Sequence, residues 1–178
     1  MLILGSEATG LYSIQIGNLQ GANLVGVREK NKTRRNLAVS MGADFAIDPT
    51  KEDGQKKIKD FTYGKGVDIA FECKGSPDAI SDSISSVNKG ENLVILGFQE
   101  LPVEVHFLKT VKYELKLLFA YCGYTEFENA LKLIATKRVQ VKPMISHIIR
   151  LEDIVDQGFE AILHPDSTTV KVLVDLEV

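Results

Sequence analysis

The chain has 178 residues and a mass of 19.6 kDa, is 44% hydrophobic and 25% charged, and has a mean hydropathy of +0.01. That composition supplies a full hydrophobic core and excludes disordered or collagen-like architecture. Lys and Arg total 21 against 24 Asp and Glu, a formal charge of −3. Such a balance gives no basic footprint for nucleic acid, and no run approaches the roughly 18 apolar residues of a membrane span. The opening residues are too few and too uncharged for a signal peptide, so the chain reads as cytoplasmic.

Residues 1–4 form a strand-like run ending at Gly5, and Leu11, Ile14 and Leu19 mark a helix that closes near Gly21. A second strand follows over 24–27, then a basic helix over about 33–41 stopped by Gly42, and a short third strand over 43–47 before Asp48-Pro49. Thr50 is the predicted N-cap of the next helix, with Asp53 three residues on. The fourth strand spans 67–73, with Val67, Ile69 and Phe71 alternating. Ser76-Pro77 then starts a helix whose Ile80, Ile84 and Val87 bury one stripe and which Gly90 stops. Residues 93–96, four apolar residues in a row, mark a strand covered on both faces. Strands alternating with helices in this way imply βαβ units, and the expected fold is an α/β, doubly wound parallel sheet of six strands.

After Gly97 the pattern is less regular. Residues 103–107 alternate as an edge strand would, and 115–121 read as the sixth sheet strand. Thr125 and Glu128 form a capping box ahead of the apolar face Phe127, Ala130, Leu131 and Ile134. Pro143, the Ile148-Ile149 pair, a helix over about 152–163 and a strand over 170–176 complete the chain. The division expected is 1–123 for the doubly wound domain and 124–178 for an extension whose amphipathic helices need something to pack against.

Chemistry has one clear anchor, the turn Gly5-Ser6-Glu7-Ala8-Thr9-Gly10 between the first strand and the first helix. A G-x-G-x-x-G turn here holds a dinucleotide's pyrophosphate on free helix N–H groups. Gly5 and Gly10 occupy the outer positions, but Glu7 stands where the middle glycine belongs. Its carboxylate against the pyrophosphate costs on the order of 1–4 kcal/mol, or roughly one to three decades of affinity. Two outcomes stay open: Glu7 swings to solvent and leaves an impaired but usable site, or affinity is seriously reduced. Glu29 lies 19 residues after Gly10, close to the spacing of an acid that binds the ribose 2′-OH. A register slip of one would put Arg28 there instead and favour a 2′-phosphate. Arg34 and Arg35 either flank the adenine side or form a solvated basic face.

Cys73 and Cys122 show no CxxC, which excludes a disulfide framework and a four-cysteine zinc site. His106, His147 and His164 share no metal-ligand spacing and read as structural or surface residues. Cys73 has no histidine near it in sequence and reads as a small buried strand residue rather than a nucleophile.

The segments 2–12 (LILGSEATGLY), 34–49 (RRNLAVSMGADFAIDP), 64–73 (GKGVDIAFEC) and 141–147 (VKPMISH) resemble the zinc-dependent medium-chain dehydrogenases, of the threonine, sorbitol and butanediol dehydrogenase branches. The resemblance covers essentially the whole chain. It implies strand order 3-2-1-4-5-6 and an NAD cofactor, with NADP the alternative. It implies cofactor-binding roles for Gly5, Thr9 and Gly10 at the pyrophosphate, Glu29 and Arg34 at the ribose, Cys73, Lys74 and Gly75 along the adenosine, and Gly97 and Phe98 near the nicotinamide. Glu7 departs from the family pattern. In that family the zinc ligands lie upstream of the first Rossmann strand, so zinc is not expected in this chain, nor catalytic residues, nor turnover by it alone. Residues 124–178 resemble the segment that packs on the catalytic domain, which a separate chain could also supply. The strand 115–121 resembles one that pairs with its twin across a two-fold axis, which implies a homodimer. A contrasting reading is a non-catalytic dimerising module in which Glu7 has disabled the cofactor site.

Overall fold

The computed structural model describes residues 1–99, 102–105, 107–123, 126–164 and 167–176. Six strands form one sheet: β1 (Leu2–Leu4), β2 (Gly26–Arg28), β3 (Phe45–Ile47), β4 (Val67–Glu72), β5 (Val87–Ile95) and β6 (Lys116–Phe119). Their order is β3-β2-β1-β4-β5-β6 and every pairing is parallel. The strand order reverses between β1 and β4, and ligands of such sheets bind outside the strand ends at that crevice.

The helices follow from local chemistry. α1 (Ala8–Leu19) leaves the first turn, and α2 (Lys32–Ser40) starts where the Asn31 side chain accepts the Arg34 amide. α4 (Pro77–Ser86) begins at Ser76, whose hydroxyl accepts the Ala79 amide, with proline at a position that needs no N–H. α3 (Gly54–Phe61) corrects the sequence reading: its cap is Asp53, which accepts the Lys56 amide. Thr50 donates its hydroxyl and amide to the Asp48 carboxylate instead, so the shorter local turn captures it.

Period-two alternation splits β1 between two cores. Leu2 and Leu4 join Ile47, Ile58, Ile80 and Leu93 on one face, while Ile3 joins Leu11, Ile14, Val25 and Val27 on the other. All three β1 side chains are essentially inaccessible, and burial of each contributes about 1.5–3 kcal/mol.

Two further expectations fail around β5. Gly90 does not stop α4, which ends at Ser86; it lies within β5, which begins at Val87. No strand forms over the described part of 103–107: Val103 and Val105 pack on the first core without a ladder, and Phe107 leads into α5 (Leu108–Lys112). Their alternation records one-sided burial, which an unpaired extended segment produces as readily as a strand. His106, and the Thr125 of the capping box, lie outside the described residues.

The extension contains α6 (Phe127–Ala135), a 3-10 turn (Lys142–Met144), β7 (Ile145–Arg150) and β8 (Lys171–Asp175). β7 and β8 pair parallel in a separate two-stranded sheet. Between them the predicted helix is irregular: a 3-10 turn (Leu151–Asp153), a π-helical stretch (Ile154–Glu160) and a last α turn (Ala161–Leu163). Met144 packs in the second core, and Gln15 of α1 exchanges two hydrogen bonds with the Gln140 backbone, at 3.1 and 2.7 Å. No helix among the described residues is long and apolar enough to cross a membrane.

Candidate dinucleotide site

The chain leaves β1 through Gly5, whose φ of +96° is closed to most side chains and whose amide donates to the Arg28 carbonyl at 2.9 Å. Gly10 lets α1 press against the same turn, because a Cβ there would lie 2.0 Å from the Gly5 oxygen. Both outer glycines therefore do what a diphosphate turn requires of them. Glu7 adopts φ −74° and ψ −172°, ordinary for any residue, so the turn accepts it without backbone strain. Its side chain leaves the helix end uncapped and pairs with the Arg34 guanidinium at 2.9 Å. Arg34 also donates to the Thr169 carbonyl at 2.9 Å, so the extension reaches over this side of the turn. Thr9 is exposed on the first turn of α1.

Glu29 follows β2 directly and is only 7% exposed. One carboxylate oxygen accepts the Ser6 amide at 2.9 Å and the Ser6 hydroxyl at 3.2 Å, and the other accepts the Asn31 amide at 2.9 Å. The acid is thus fixed beside the turn. Arg28 pairs with Asp82 of α4 along the neighbouring cleft, its positive charge disfavoured by burial. Of the two, Glu29 is the residue whose side chain is hydrogen-bonded to the turn. Arg35 is neither solvated nor aimed at the site: it donates to the Glu29 and Lys30 carbonyls and pairs with Asp48 at 2.8 Å, tying β2 to β3.

On the other side of the switch point, β4 ends at Glu72, a residue the sequence reading passed over. It is fully inaccessible, and its carboxylate accepts the Lys74 and Gly75 amides at 2.8 and 2.9 Å. Burial raises its pKa above the usual carboxylate value, against those two hydrogen bonds. Gly97 meets this turn so closely that a Cβ would lie 2.1 Å from the Gly75 nitrogen. Cys73 is buried, and desolvation pushes its thiol up to about 12, the chemistry of a packing residue. Phe98 is 70% exposed and stands edge-on to Tyr121 at 5.6 Å.

Gly5, Glu7, Glu29, Arg34, Cys73 and Lys74 line one cavity of about 230 Å³, closed on its far side by Leu163, His164 and Ser167 of the extension. It shares Gly5, Glu29 and Lys74 with a cleft of about 520 Å³ that runs on past Thr50 and Ser76. Gly97 and Phe98 line neither cavity and sit beyond the β4 turn. A larger cavity of about 920 Å³ opens at the opposite, N-terminal ends of β1 and β4; it is mostly apolar, and Thr9 alone of the predicted site residues borders it. The polar groups a nucleotide needs converge at the switch point, so the smaller pair is the candidate site. Ser6 and Asn31 belong to it as well: Asn31 was legible as a helix cap, whereas Ser167 and Thr169, more than 130 residues away, gave no local signal.

Residues 8–136 match the family description "zinc-binding dehydrogenase". The chain belongs to the zinc-binding dehydrogenase family. It is 28% identical over 177 residues to (R,R)-butanediol dehydrogenase of Neisseria gonorrhoeae, which covers 98% of this chain and 49% of that protein. L-threonine 3-dehydrogenase of Pyrococcus furiosus is 29% identical over 163 residues, 90% of this chain and 47% of its own length. A zinc-binding dehydrogenase from Sinorhizobium meliloti 1021, solved bound to NADP, superposes with a TM-score of 0.86 at 29% identity, covering 98% of this chain and 52% of that one. The chain therefore spans about half the length of the curated relatives it matches, and it carries the cofactor-binding domain of this oxidoreductase family. The six-stranded order is the one the family implies.

The residues fit a nicotinamide dinucleotide. The strand-to-helix turn is glycine-shaped at both ends, the acid stands beside it, and Glu7 at the cavity rim is paired with Arg34 and leaves the first helix amides uncapped. They do not fit the family's zinc: among the described residues no group of three or more His, Cys, Asp or Glu is placed to hold a metal ion. His147 and His164 are both exposed.

Proposed function

We propose that this chain binds NAD(H) in preference to NADP(H), as the cofactor half of a dehydrogenase acting on a small secondary alcohol or polyol. The buried Glu29 carboxylate, held by Ser6 and Asn31 at the end of β2, is the observation that carries this reading. A ribose 2′-OH can donate to such an acid, whereas a 2′-phosphate would meet like charge. The substrate class rests on the butanediol and threonine dehydrogenase relatives. The bound cofactor supplies the hydride acceptor. The chain's own residues cradle the diphosphate at Gly5 and Gly10, orient the ribose at Glu29 with Arg34, and pass the dinucleotide by Cys73 and Gly75 toward Gly97 and Phe98. Zinc, in this reading, belongs to a catalytic domain that packs on the exposed face of α6 and the extension.

A homodimer through β6 completes the proposal. Leu118 and Phe119 are 49% and 73% exposed on a strand whose outer edge has no partner among the described residues. An uncovered apolar edge of that kind invites pairing with a second copy. Phe119→Asp is expected to halve the particle mass in solution, measured by light scattering.

Titration with NADH and NADPH, followed by nucleotide fluorescence, tests the cofactor reading. NADH is expected to bind at least about tenfold tighter, a difference of about 1.4 kcal/mol, and Glu29→Ala to narrow the gap. Equal affinity for the two nucleotides contradicts the role given to Glu29. Silence toward both at millimolar concentration favours the non-catalytic dimerising module, a reading that the acid in the turn keeps open.

A further inference from the structure

Glu7 is the one residue that contradicts the cofactor turn, and its surroundings explain how the turn tolerates it. It occupies the N-cap position of α1 with extended backbone angles, from which a side-chain oxygen ordinarily accepts the second or third helix amide. A glutamate is long enough to fold back in this way, and the positive end of the helix dipole favours it. Folded back, the carboxylate would sit on the amides that a diphosphate needs. Instead it pairs with Arg34, which is the more anchored partner. The Arg34 side chain is 12% exposed against 60% for Glu7, and its second terminal nitrogen is fixed on the Thr169 carbonyl. Arg34 cannot follow Glu7 toward the helix without giving up that contact.

We propose that Arg34 is a positioning residue for the dinucleotide turn: anchored by the extension at Thr169, it draws the Glu7 carboxylate away from the first amides of α1 and so keeps the turn open to a diphosphate. The inference rests on the cofactor reading above and differs from a direct ribose contact by Arg34, which would act whatever residue stood at position 7. It also gives the extension a task at the site, because the Thr169 carbonyl holds the guanidinium that holds the acid. A ribose contact and the positioning role can coexist, and coupling between positions 7 and 34 separates them.

NADH titrations of the full chain as wild type, Glu7→Gly, Arg34→Gln, the double variant and Arg34→Lys provide the test, with each variant's thermal melt recorded alongside. Arg34→Gln is expected to weaken NADH binding about tenfold more in the wild-type background than in the Glu7→Gly background. Arg34→Lys, which keeps a cation for Glu7, is expected to restore most of that loss. The double variant must fold in order to bind, so recovery there excludes a merely structural role for Arg34. Loss by the same factor in both backgrounds overturns the inference and leaves the cofactor reading standing. Binding by Glu7→Gly with none by wild type overturns it too, because Arg34 would then have failed to clear the turn. No binding by any of the five proteins overturns the cofactor reading, and the inference falls with it.

Discussion

The six-stranded sheet and the extension after it are built by different rules. In the sheet every strand from β1 to β5 contributes buried side chains, and two cores close its faces. In the extension α6 buries none of its residues, and Phe127, Leu131, Ile148, Leu151 and Phe159 are all more than half exposed. What fixes the extension is a small set of contacts with the first region: Met144 in the second core, Gln140 on Gln15, and Thr169 and Ser167 on Arg34 and Asn31. A parallel sheet covered on both faces supplies its own stability, whereas amphipathic helices on a two-stranded ribbon borrow theirs. Of these attachments, Ser167 on Asn31 and Thr169 on Arg34 lie beside the candidate site.

The largest effect expected from that contrast is in the cores. Ile3→Ala should cost about 2–5 kcal/mol in chemical denaturation, while Leu131→Ala on exposed α6 stays within about 0.5 kcal/mol. Similar costs at both positions would mean that α6 is covered in solution. The seam comes next. Gln15→Ala removes both hydrogen bonds to Gln140 and should cost about 1–2 kcal/mol, read by hydrogen exchange as roughly tenfold faster opening of residues 139–149 with β1 and β4 unchanged. Protection lost equally in β1 would show one cooperative unit rather than two.

The smallest effect is a pH dependence at Glu72. Burial raises its folded-state pKa, so its contribution to stability is fully present below the unfolded carboxylate value and is lost as pH rises through the folded value. Thermal melts of wild type and Glu72→Gln from acid to neutral pH should therefore show wild type losing ground to the variant as pH rises. A gap independent of pH would mean that Glu72 ionises in the folded chain as readily as in water.

The sheet was legible in the sequence because its signals are local and redundant: apolar runs, glycine-bounded helices and a proline after Ser76 all agree. The outer glycines and the acid at position 29 were legible for the same reason, since a strand-turn-helix unit fixes their spacing. Competing local chemistry hid other features. Thr50 and Asp53 are both competent caps, and only the tighter turn at Asp48 decides between them. Val103 and Val105 alternate like a strand because they face a core, although no strand among the described residues pairs with them. Gly90 reads as a helix stop and yet serves inside β5. Glu72 and the Thr169 contact lay beyond any local pattern. One is a buried charge answered by amides of the next turn, and the other joins residues 135 positions apart.

Whether the β1–α1 turn holds a dinucleotide's diphosphate despite its acid is tested most directly by amide chemical-shift mapping during an NADH titration. Saturable shifts are expected at Ser6, Gly10, Lys74 and Gly75, with little change at Ile16 and Asn88, which border the large opposite cavity. Shifts confined to that opposite cavity, or none at all while Glu29 and its partners stay in place, would contradict a diphosphate seat at this turn.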